Sequence, residues 1–237
     1  MTLPRPARAV VFDMDGLILD TEAIYRDAMG EAAEALGADL PLAVFLRMVG
    51  LPNDASRAVA EAYFGERLGY DAWMHEVRAR AAAKLASGAP IKAGVTELLD
   101  RLDRLGLPRA IATSSRRETV EEHLRPTGLL DRFDAIVAGG ECARGKPHPE
   151  PFLTAAARLS VAPLDCLALE DSHNGVRAAV AAGMMTVMVP DLLPVTEEMR
   201  SLTAAICADL HEVVGLLADS DQFFGNTGPE PFVFDRA

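Results

Sequence analysis

Residues 9–21 read AVVFDMDGLILDT, a short apolar run that ends in two aspartates and a glycine. Residues 9–12 include a β-branched pair, which is typical of a strand buried on both faces of a parallel sheet. If the extended path continues beyond this strand, side-chain alternation places Asp13 and Asp15 on the same side. Gly16 then allows the backbone to turn sharply and to come close to a ligand.

Two carboxylates at the mouth of a buried strand repel each other and need a compensating positive charge. A divalent cation is the simplest choice, since Mg²⁺ prefers carboxylate, carbonyl and water oxygens and bridges easily to phosphate. Asp13 and Asp15 therefore point to metal-assisted phosphate chemistry. The plainer alternative at this stage is that both residues cap the following helix in a polar turn.

The composition limits the class of protein and its partners. A chain of 237 residues allows one large domain, or a core with a smaller insert. Its 23 basic and 35 acidic residues give a formal charge of −12, which argues against nucleic acid or an anionic membrane as the main partner. Cys142, Cys166 and Cys207 lack metal-ligand spacing and are typical of reduced intracellular thiols.

The apolar segments do not predict a secreted or membrane protein. The N-terminal apolar run is too short for a signal peptide and continues directly into the first strand. The longest apolar stretch, residues 178–189, is interrupted by Gly183 and predicts a helix followed by a strand. We therefore expect a cytoplasmic protein that exists as a monomer or a homodimer.

The rest of the chain divides into a part that is helical throughout and a part in which helices and strands alternate. Residues 21–89 show amphipathic helical patterns and no convincing strand, which predicts a small helical cap domain inserted after the first strand. Residues 1–20 and 90–218 are assigned to an α/β core, a mostly parallel Rossmann-like sheet with helices on both faces. Residues 219–237 form an irregular tail. The later strands are predicted at residues 109–112, 135–138, 166–169 and 186–189.

Polar residues follow the second of these strands, at the edge where parallel sheets bind ligands. Thr113, Ser114 and Ser115 come directly after it, and Ser115 and Glu118 form an S-x-x-E capping box. The expected helix N-terminus, together with a hydroxyl group, suits phosphate oxygens. Thr113 is the better candidate for the phosphate contact.

Two further strand ends carry charged residues. Lys146 lies in the sequence GKPHPEP, where three prolines stiffen the loop and Pro147 disfavours helical backbone at the lysine. A rigidly presented ammonium group can neutralise a phosphoryl oxygen. The fourth strand ends in Glu170 and Asp171, which repeat the acidic pattern of the first strand. We expect Asp171 to complete a metal site with Asp13.

Four segments together resemble the motifs of the haloacid dehalogenase superfamily. They are FDMDGLILDTE from residue 12, the hydroxyl residue Thr113, the GKP-x-P sequence from residue 145 and LEDSHNGVRAA from residue 169. Their order and spacing are similar to the superfamily over residues 8–210. The resemblance is strongest to the sugar-phosphate phosphatase and β-phosphoglucomutase branch, which has a type-one helical cap.

This resemblance implies a mechanism and a set of site residues. Asp13 would attack phosphorus to form an aspartyl-phosphate, and Asp15 would serve as acid and then as base. Mg²⁺ would bind Asp13, the Asp15 backbone carbonyl and Asp171. Glu170 is a further candidate residue of the metal site, where it would orient Lys146 or a metal-bound water. The candidates for binding a small phosphorylated metabolite, a sugar phosphate or a similar phosphate monoester, are Gly16, Thr21, Asn53, Ser114, Ser115 and Arg116.

Two alternatives to a phosphatase remain open. In the mutase branch a histidine follows the first motif and an arginine lies in the cap loop, whereas this chain has Tyr25 and Asn53 at those positions. Both differences favour a phosphatase, although Arg47 or Arg57 offers a second phosphate contact that keeps a β-phosphoglucomutase-type reaction open. The other alternative is a non-catalytic, metal-dependent binding module, which loss of the motif residues would have favoured.

Overall fold

A parallel β-sheet lies at the centre of the molecule. The computed structural model describes residues 2–49, 51, 53–86 and 88–218. In this part of the chain six parallel strands are arranged in the order β3-β2-β1-β4-β5-β6. They are β1 (Ala9–Phe12), β2 (Arg109–Arg116), β3 (Ala135–Gly139), β4 (Cys166–Glu170), β5 (Met185–Met188) and β6 (Ala205–Ile206).

The central strand β1 is buried on both faces, as its sequence predicts. Val10 and Phe12 pack into one hydrophobic cluster, and Ala9 and Val11 pack into another on the opposite face. The first cluster includes residues of α5 (Val95–Leu105), α6 (Arg117–Leu124) and α10 (Leu210–Ala218). The second includes residues of α7 (Glu150–Arg158) and α8 (His173–Ala181). The predicted α/β fold with helices on both faces is confirmed.

Helices before residue 86 have a hydrophobic cluster of their own. They are α1 (Thr21–Ala35), α2 (Leu42–Leu46), α3 (Asn53–Phe64) and α4 (Tyr70–Leu85). Trp73 is fully buried there, donates a hydrogen bond from Nε1 to the carbonyl of Met29 at 3.0 Å, and meets the ring of Phe64 edge-on at 5.0 Å. The described residues of this segment contain no strand.

Two stretches of chain that run side by side connect these helices to the sheet. Leu19 and Ile91 form an antiparallel bridge, the amide of Asp20 donates to the carbonyl of Pro90, and the amide of Lys92 donates to the carbonyl of Ile18. The entry and the exit of the helical segment are therefore hydrogen-bonded to each other, directly beside the end of β1.

The structure corrects the prediction for the segment after residue 112. Thr113, Ser114 and Ser115 lie within β2, which continues to Arg116 and pairs there with Gly139 after a register shift, so the strand runs four residues further than predicted. Helix α6 begins at Arg117 without a side-chain cap, so the proposed capping box at Ser115 is wrong. Strand pairing with β3 holds this segment extended, which the local S-x-x-E pattern did not reveal.

Three elements near the C-terminus were absent from the sequence prediction. Strand β6 has only two residues, which is too short for a periodic signal. Helix α9 (Glu197–Leu202) has six residues and places Met199 against Val176 and Met188. Helix α10 completes one face of the sheet. The predicted tail, residues 219–237, lies outside the described residues.

Candidate active site

A cleft of about 880 Å³ opens at the carboxyl ends of the strands. Asp13 follows β1, Thr113 and Ser114 belong to β2, and Asp171 follows β4; all four line the cleft. Because parallel strands end at the same edge of a sheet, residues more than 150 positions apart in sequence meet here. This is the location that the sequence predicted.

Lys146 makes the shortest polar contacts in the cleft. Its ammonium nitrogen lies 2.5 Å from Asp13 Oδ1 and 2.5 Å from Glu170 Oε1. The lysine and glutamate side chains are almost completely buried. Ser172 donates to Glu170 Oε2 from its amide at 3.1 Å and from its hydroxyl at 3.0 Å. Both oxygens of Glu170 are thus occupied by protein donors, and one of those donors is Lys146.

Negative charge exceeds positive charge at this point. Asp13, Glu170 and Asp171 each offer a carboxylate oxygen within 4.8 Å of the others. Burial raises the pKa of Asp13 to about 8 even though Lys146 lowers it. Burial, and then the charges of Asp13 and Glu170, also hold the pKa of Asp171 well above its ordinary range. Despite its burial, Lys146 has a raised pKa because two carboxylates stabilise its charge.

The donor set at this cluster fits a divalent cation. One ammonium group faces three buried carboxylates, so a bound cation would neutralise the remaining negative charge and stabilise the ionised acids. Carboxylate oxygens are the ligands that hard cations such as Mg²⁺ and Ca²⁺ prefer. The residues therefore form a candidate metal site, as Asp13 and Asp171 predicted from the sequence.

Two glycines make room for the acidic pair at the end of β4. Gly16 has φ +84°, and a Cβ atom at this residue would overlap the carboxylate of Asp171. A Cβ atom at Gly175 would overlap the carboxylate of Glu170. Both acids therefore pack directly against backbone, where an L-amino-acid side chain has no space.

Asp15 is surrounded by hydroxyl groups. Thr21 Oγ1 donates to Asp15 Oδ1 at 2.7 Å, and Ser115 Oγ donates to Asp15 Oδ2 at 2.7 Å. Thr113 Oγ1 also reaches Asp15 Oδ2, at 3.5 Å. Three hydroxyl residues that the sequence assigned to phosphate or substrate thus converge on one carboxylate. In this arrangement they orient Asp15.

The loop that carries Lys146 is held at both ends by carboxylates. Arg117 and Arg158 both form ion pairs with Glu141, just after β3. The carboxylate of Glu150, at the start of α7, accepts hydrogen bonds from the amides of Ala143 and Arg144. These contacts, together with the prolines predicted to stiffen the loop, fix the backbone on both sides of the lysine.

The remaining predicted residues have different positions. Ser114 lines the cleft and is exposed, whereas Arg116 is exposed at the end of β2 and is not among the residues that line the cleft. Asn53 begins α3, and its side chain lies outside the described residues. The structure adds Glu22 and Arg144 to the cleft wall. Glu22 follows Thr21 directly in the first motif, which is the sequence signal that could have identified it.

Arg57, one candidate for a second phosphate contact, is engaged by other residues of the helices. It pairs with Glu61 at 2.8 Å and with Asp71 at 3.0 Å, and its guanidinium group lies over the ring of Tyr70. Neither Arg57 nor Arg47 is among the described residues that line the cleft. The geometry thus removes one of the two arginines that kept the mutase alternative open.

The comparison with known proteins identifies the class of enzyme to which this site belongs. The chain belongs to the haloacid dehalogenase-like hydrolases, whose family model matches residues 7–183. The resemblance stated from the motifs is therefore confirmed, as is the prediction of an enzyme.

Individual relatives agree with this family. Hexitol phosphatase B of Escherichia coli K12 is 34% identical over 199 residues, which cover 80% of this chain and 86% of that protein. A haloacid dehalogenase family hydrolase of Deinococcus radiodurans, whose crystal structure contains phosphate and sodium, is 27% identical with a TM-score of 0.77. That match covers 91% of this chain and 97% of the other.

The β-phosphoglucomutase of Clostridium difficile shares the fold as well. It superposes with a TM-score of 0.72 and 22% identity, over 93% of this chain and all of the other. At this identity the likeness shows the fold alone. No helix in the described part of the chain is long and apolar enough to cross a membrane.

Proposed function

We propose that this protein is a Mg²⁺-dependent phosphatase that hydrolyses a small sugar or polyol phosphate through an aspartyl-phosphate on Asp13. The observation that carries the proposal is the position of Asp13, which is buried at the end of β1, bonded to Lys146 and among the residues that line the cleft. The similarity to a hexitol phosphatase supports the substrate class.

Asp13 and Lys146 carry the first half of the proposed reaction. Asp13 attacks phosphorus with a carboxylate oxygen, forming the O–P bond as the bond to the leaving alcohol breaks. Lys146 fixes the orientation of the attacking carboxylate and places positive charge beside the phosphoryl oxygens. Asp13, the backbone carbonyl of Asp15 and Asp171 are the proposed metal ligands. Bound Mg²⁺ supplies positive charge that keeps Asp13 ionised and stabilises the phosphoryl group in the transition state.

Asp15 is the proposed acid and base. Its carboxyl group gives a proton to the leaving alkoxide, and it later takes a proton from the water that attacks the aspartyl-phosphate. Thr21 and Ser115 hold its two oxygens, so the carboxyl plane is fixed while the proton is transferred. Thr113 supports the same group from β2 and borders the cleft.

Glu170 is better explained as a positioning residue than as a direct metal ligand. Its two oxygens accept hydrogen bonds from Lys146 and from Ser172, which leaves Asp171 as the more available carboxylate of the pair. We further propose that residues 21–89 form a cap domain on a core made of residues 1–20 and 90–218. The separate hydrophobic cluster of α1–α4 and the paired connections beside Leu19 support this division.

The first experiment measures release of inorganic phosphate from hexose, pentose and polyol phosphates, phosphoglycolate and nucleotides. Each substrate is tested with Mg²⁺ and with excess chelator, and Asp13→Asn serves as the matched inactive control. Mg²⁺-dependent release that Asp13→Asn lacks is the expected result. Retained activity in Asp13→Asn would refute the nucleophile, and conversion of β-glucose 1-phosphate to glucose 6-phosphate without release would establish the mutase.

A further inference from the structure

Glu22 provides an acceptor in the cleft that the proposed mechanism does not use. It lies in the first turn of α1, where the chain passes from the sheet to the helices, and it lines the cleft. Its Oε2 atom is buried, and no described residue donates a hydrogen bond to it. A buried carboxylate oxygen without a donor is unfavourable, so this atom is poised to accept a hydrogen bond from a bound molecule.

The residues around Glu22 bring negative charge close to its carboxylate and give its Oε2 atom no hydrogen-bond donor. Asp191, from the segment after β5, has a buried Oδ2 that also lacks a donor among the described residues. The neighbouring cation, Lys92, lies 2.7 Å from Asp191 Oδ1 and is engaged there. Burial, followed by the charges of Asp191 and Asp15, raises the pKa of Glu22 to about 7. The described neighbours thus supply charge but no donor to this oxygen, and Glu22 itself borders the cleft.

We propose that Glu22 determines specificity by accepting a hydrogen bond from a hydroxyl group of the leaving alcohol. The inference rests on the proposed phosphatase function and assigns to Glu22 the recognition of a further hydroxyl group on the alcohol of its substrate. Glu22 and Asp13 line the same cleft, so one molecule can place its phosphoryl group at Asp13 and a hydroxyl at Glu22. An alkyl phosphate without hydroxyl groups would leave the buried oxygen unpaired.

The charges of the cleft wall also disfavour a second phosphate near Glu22. Among the described lining residues the lysine and arginine side chains are Lys146 and Arg144, and both belong to the loop before α7. Helices α1–α4 contribute Glu22 and no described cation to this wall. A second phosphate on that side would face a carboxylate with no cation from the helices, whereas a neutral hydroxyl would meet no repulsion.

The test compares matched substrates in the wild type and in Glu22→Ala. Phosphate release gives kcat/KM for glycerol 3-phosphate against n-propyl phosphate and for glucitol 6-phosphate against n-hexyl phosphate. We expect the preference of the wild type for the hydroxylated member to fall about 10- to 100-fold in Glu22→Ala, the range for hydrogen bonds to charged groups. Glu22→Gln, which keeps a carbonyl acceptor, should retain part of the preference. Glu34→Ala, at an exposed position of the same helix, is the matched control.

Each outcome separates the inference from the function on which it rests. An unchanged hydroxyl preference in both Glu22 variants, with normal melting curves, would overturn the role of Glu22 while the phosphatase stands. A wild-type preference for 3-aminopropyl phosphate over glycerol 3-phosphate would overturn the hydroxyl assignment in favour of an ammonium group. Absence of release from every substrate by the wild type would overturn the proposed function itself.

Discussion

The cleft wall formed by the strand ends and the wall formed by helices α1–α4 use their polar side chains differently. At the strand ends, Asp13 and Glu170 are buried and both bind the buried Lys146, which connects three segments of the chain. On the helical side the polar groups mostly bond within the helices, as Arg57 does with Glu61 and Asp71. The described cleft residues from that side are Glu22 and Leu51.

This difference between the walls separates the reaction at phosphorus from the recognition of the alcohol. The strand ends hold a charged group in one orientation, which a reaction at phosphorus requires whatever alcohol is attached to it. Most polar side chains of the helices bond to other residues of the helices and stabilise them, so few of these side chains are available to the substrate. A small number of residues on the helical side can therefore change which alcohol is accepted without disturbing the groups that act on phosphorus. The comparison yields three predictions.

The largest effect is expected from removing the ammonium group at the strand ends. Lys146→Met leaves two buried carboxylates without their partner, which should cost about 3–5 kcal/mol of unfolding free energy. Phosphate release should fall about 10²- to 10³-fold, because a charge that stabilises the transition state is lost. Urea unfolding in chelator and kcat/KM with Mg²⁺ measure the two quantities.

The same substitution on the helical side is the matched control. Lys84 pairs with Glu31 at 2.8 Å, but both side chains are more than one-third exposed. Lys84→Met should change the unfolding free energy by less than about 1 kcal/mol, since exposed ion pairs contribute little. Equal losses for the two methionine variants would contradict the contrast between the walls.

A second prediction concerns the core of the helical segment. Trp73→Ala removes a fully buried ring and should lower the unfolding free energy by about 3–5 kcal/mol. Trp73→Phe keeps an aromatic ring but loses part of the buried volume and the hydrogen bond to Met29, so it should cost less, about 1–3 kcal/mol. Circular dichroism measures the unfolding of both variants.

The wild type offers a check on whether the helices form a unit of their own. Trp73 is the only tryptophan, so its fluorescence reports on α1–α4 alone, whereas circular dichroism reports on the whole chain. If the helices unfold as a separate cap domain, the two transitions should differ. Coincident transitions, together with a full loss of activity in Trp73→Phe, would contradict a separable cap.

The smallest effect is expected at Glu22, where the two walls meet. Because its pKa is raised to about 7, the folded protein binds a proton more tightly than the unfolded chain does. The contribution of Glu22 to stability is therefore complete below about pH 4.3, the ordinary pKa of a glutamate, and is lost as the pH rises through 7. In chelator, we compare the Tm of Glu22→Gln with that of the wild type at pH 5 and at pH 8. The difference, variant minus wild type, should be a few degrees larger at pH 8.

Thermal melts at the two pH values measure this difference directly. Glu34→Gln removes the same charge from an exposed position of the same helix and should show no such dependence on pH. A difference in Tm between Glu22→Gln and the wild type that is equal at pH 5 and pH 8 would show that Glu22 is not held in a protonated form by its surroundings.

The strand-end wall could be predicted from the sequence because each of its residues follows a recognisable apolar strand. The topology of parallel strands placed Asp13 and Asp171 at one edge of the sheet, and for Lys146 the proline-rich loop and the resemblance to the GKP-x-P motif added to it. Ser115 was wrongly given a capping role because its local pattern favours a helix start, whereas pairing with β3 extends β2 to Arg116 and α6 begins only at Arg117. Local sequence does not contain that competing interaction.

The helical wall could be predicted only as a set of helices. Whether Arg57 faces the cleft depends on the distance to Asp71 in another helix, which periodicity does not determine. The environment of Glu22 depends on Asp191, 169 positions later in the chain. Contacts of this kind come from packing between distant segments, and the short motif that contains Glu22 gave no sign of its unpaired oxygen.

The two glycines beside the acidic pair have a consequence for how this enzyme can diversify. Gly16 and Gly175 belong to different motifs, yet each one is in contact with a carboxylate of the pair Glu170 and Asp171. Even the smallest substitution, to alanine, would force one of the two carboxylates out of place. Neither glycine can therefore be substituted as long as Glu170 and Asp171 are retained. New substrate ranges in this lineage are therefore expected to arise by substitution in the helices, with the strand-end motifs inherited unchanged.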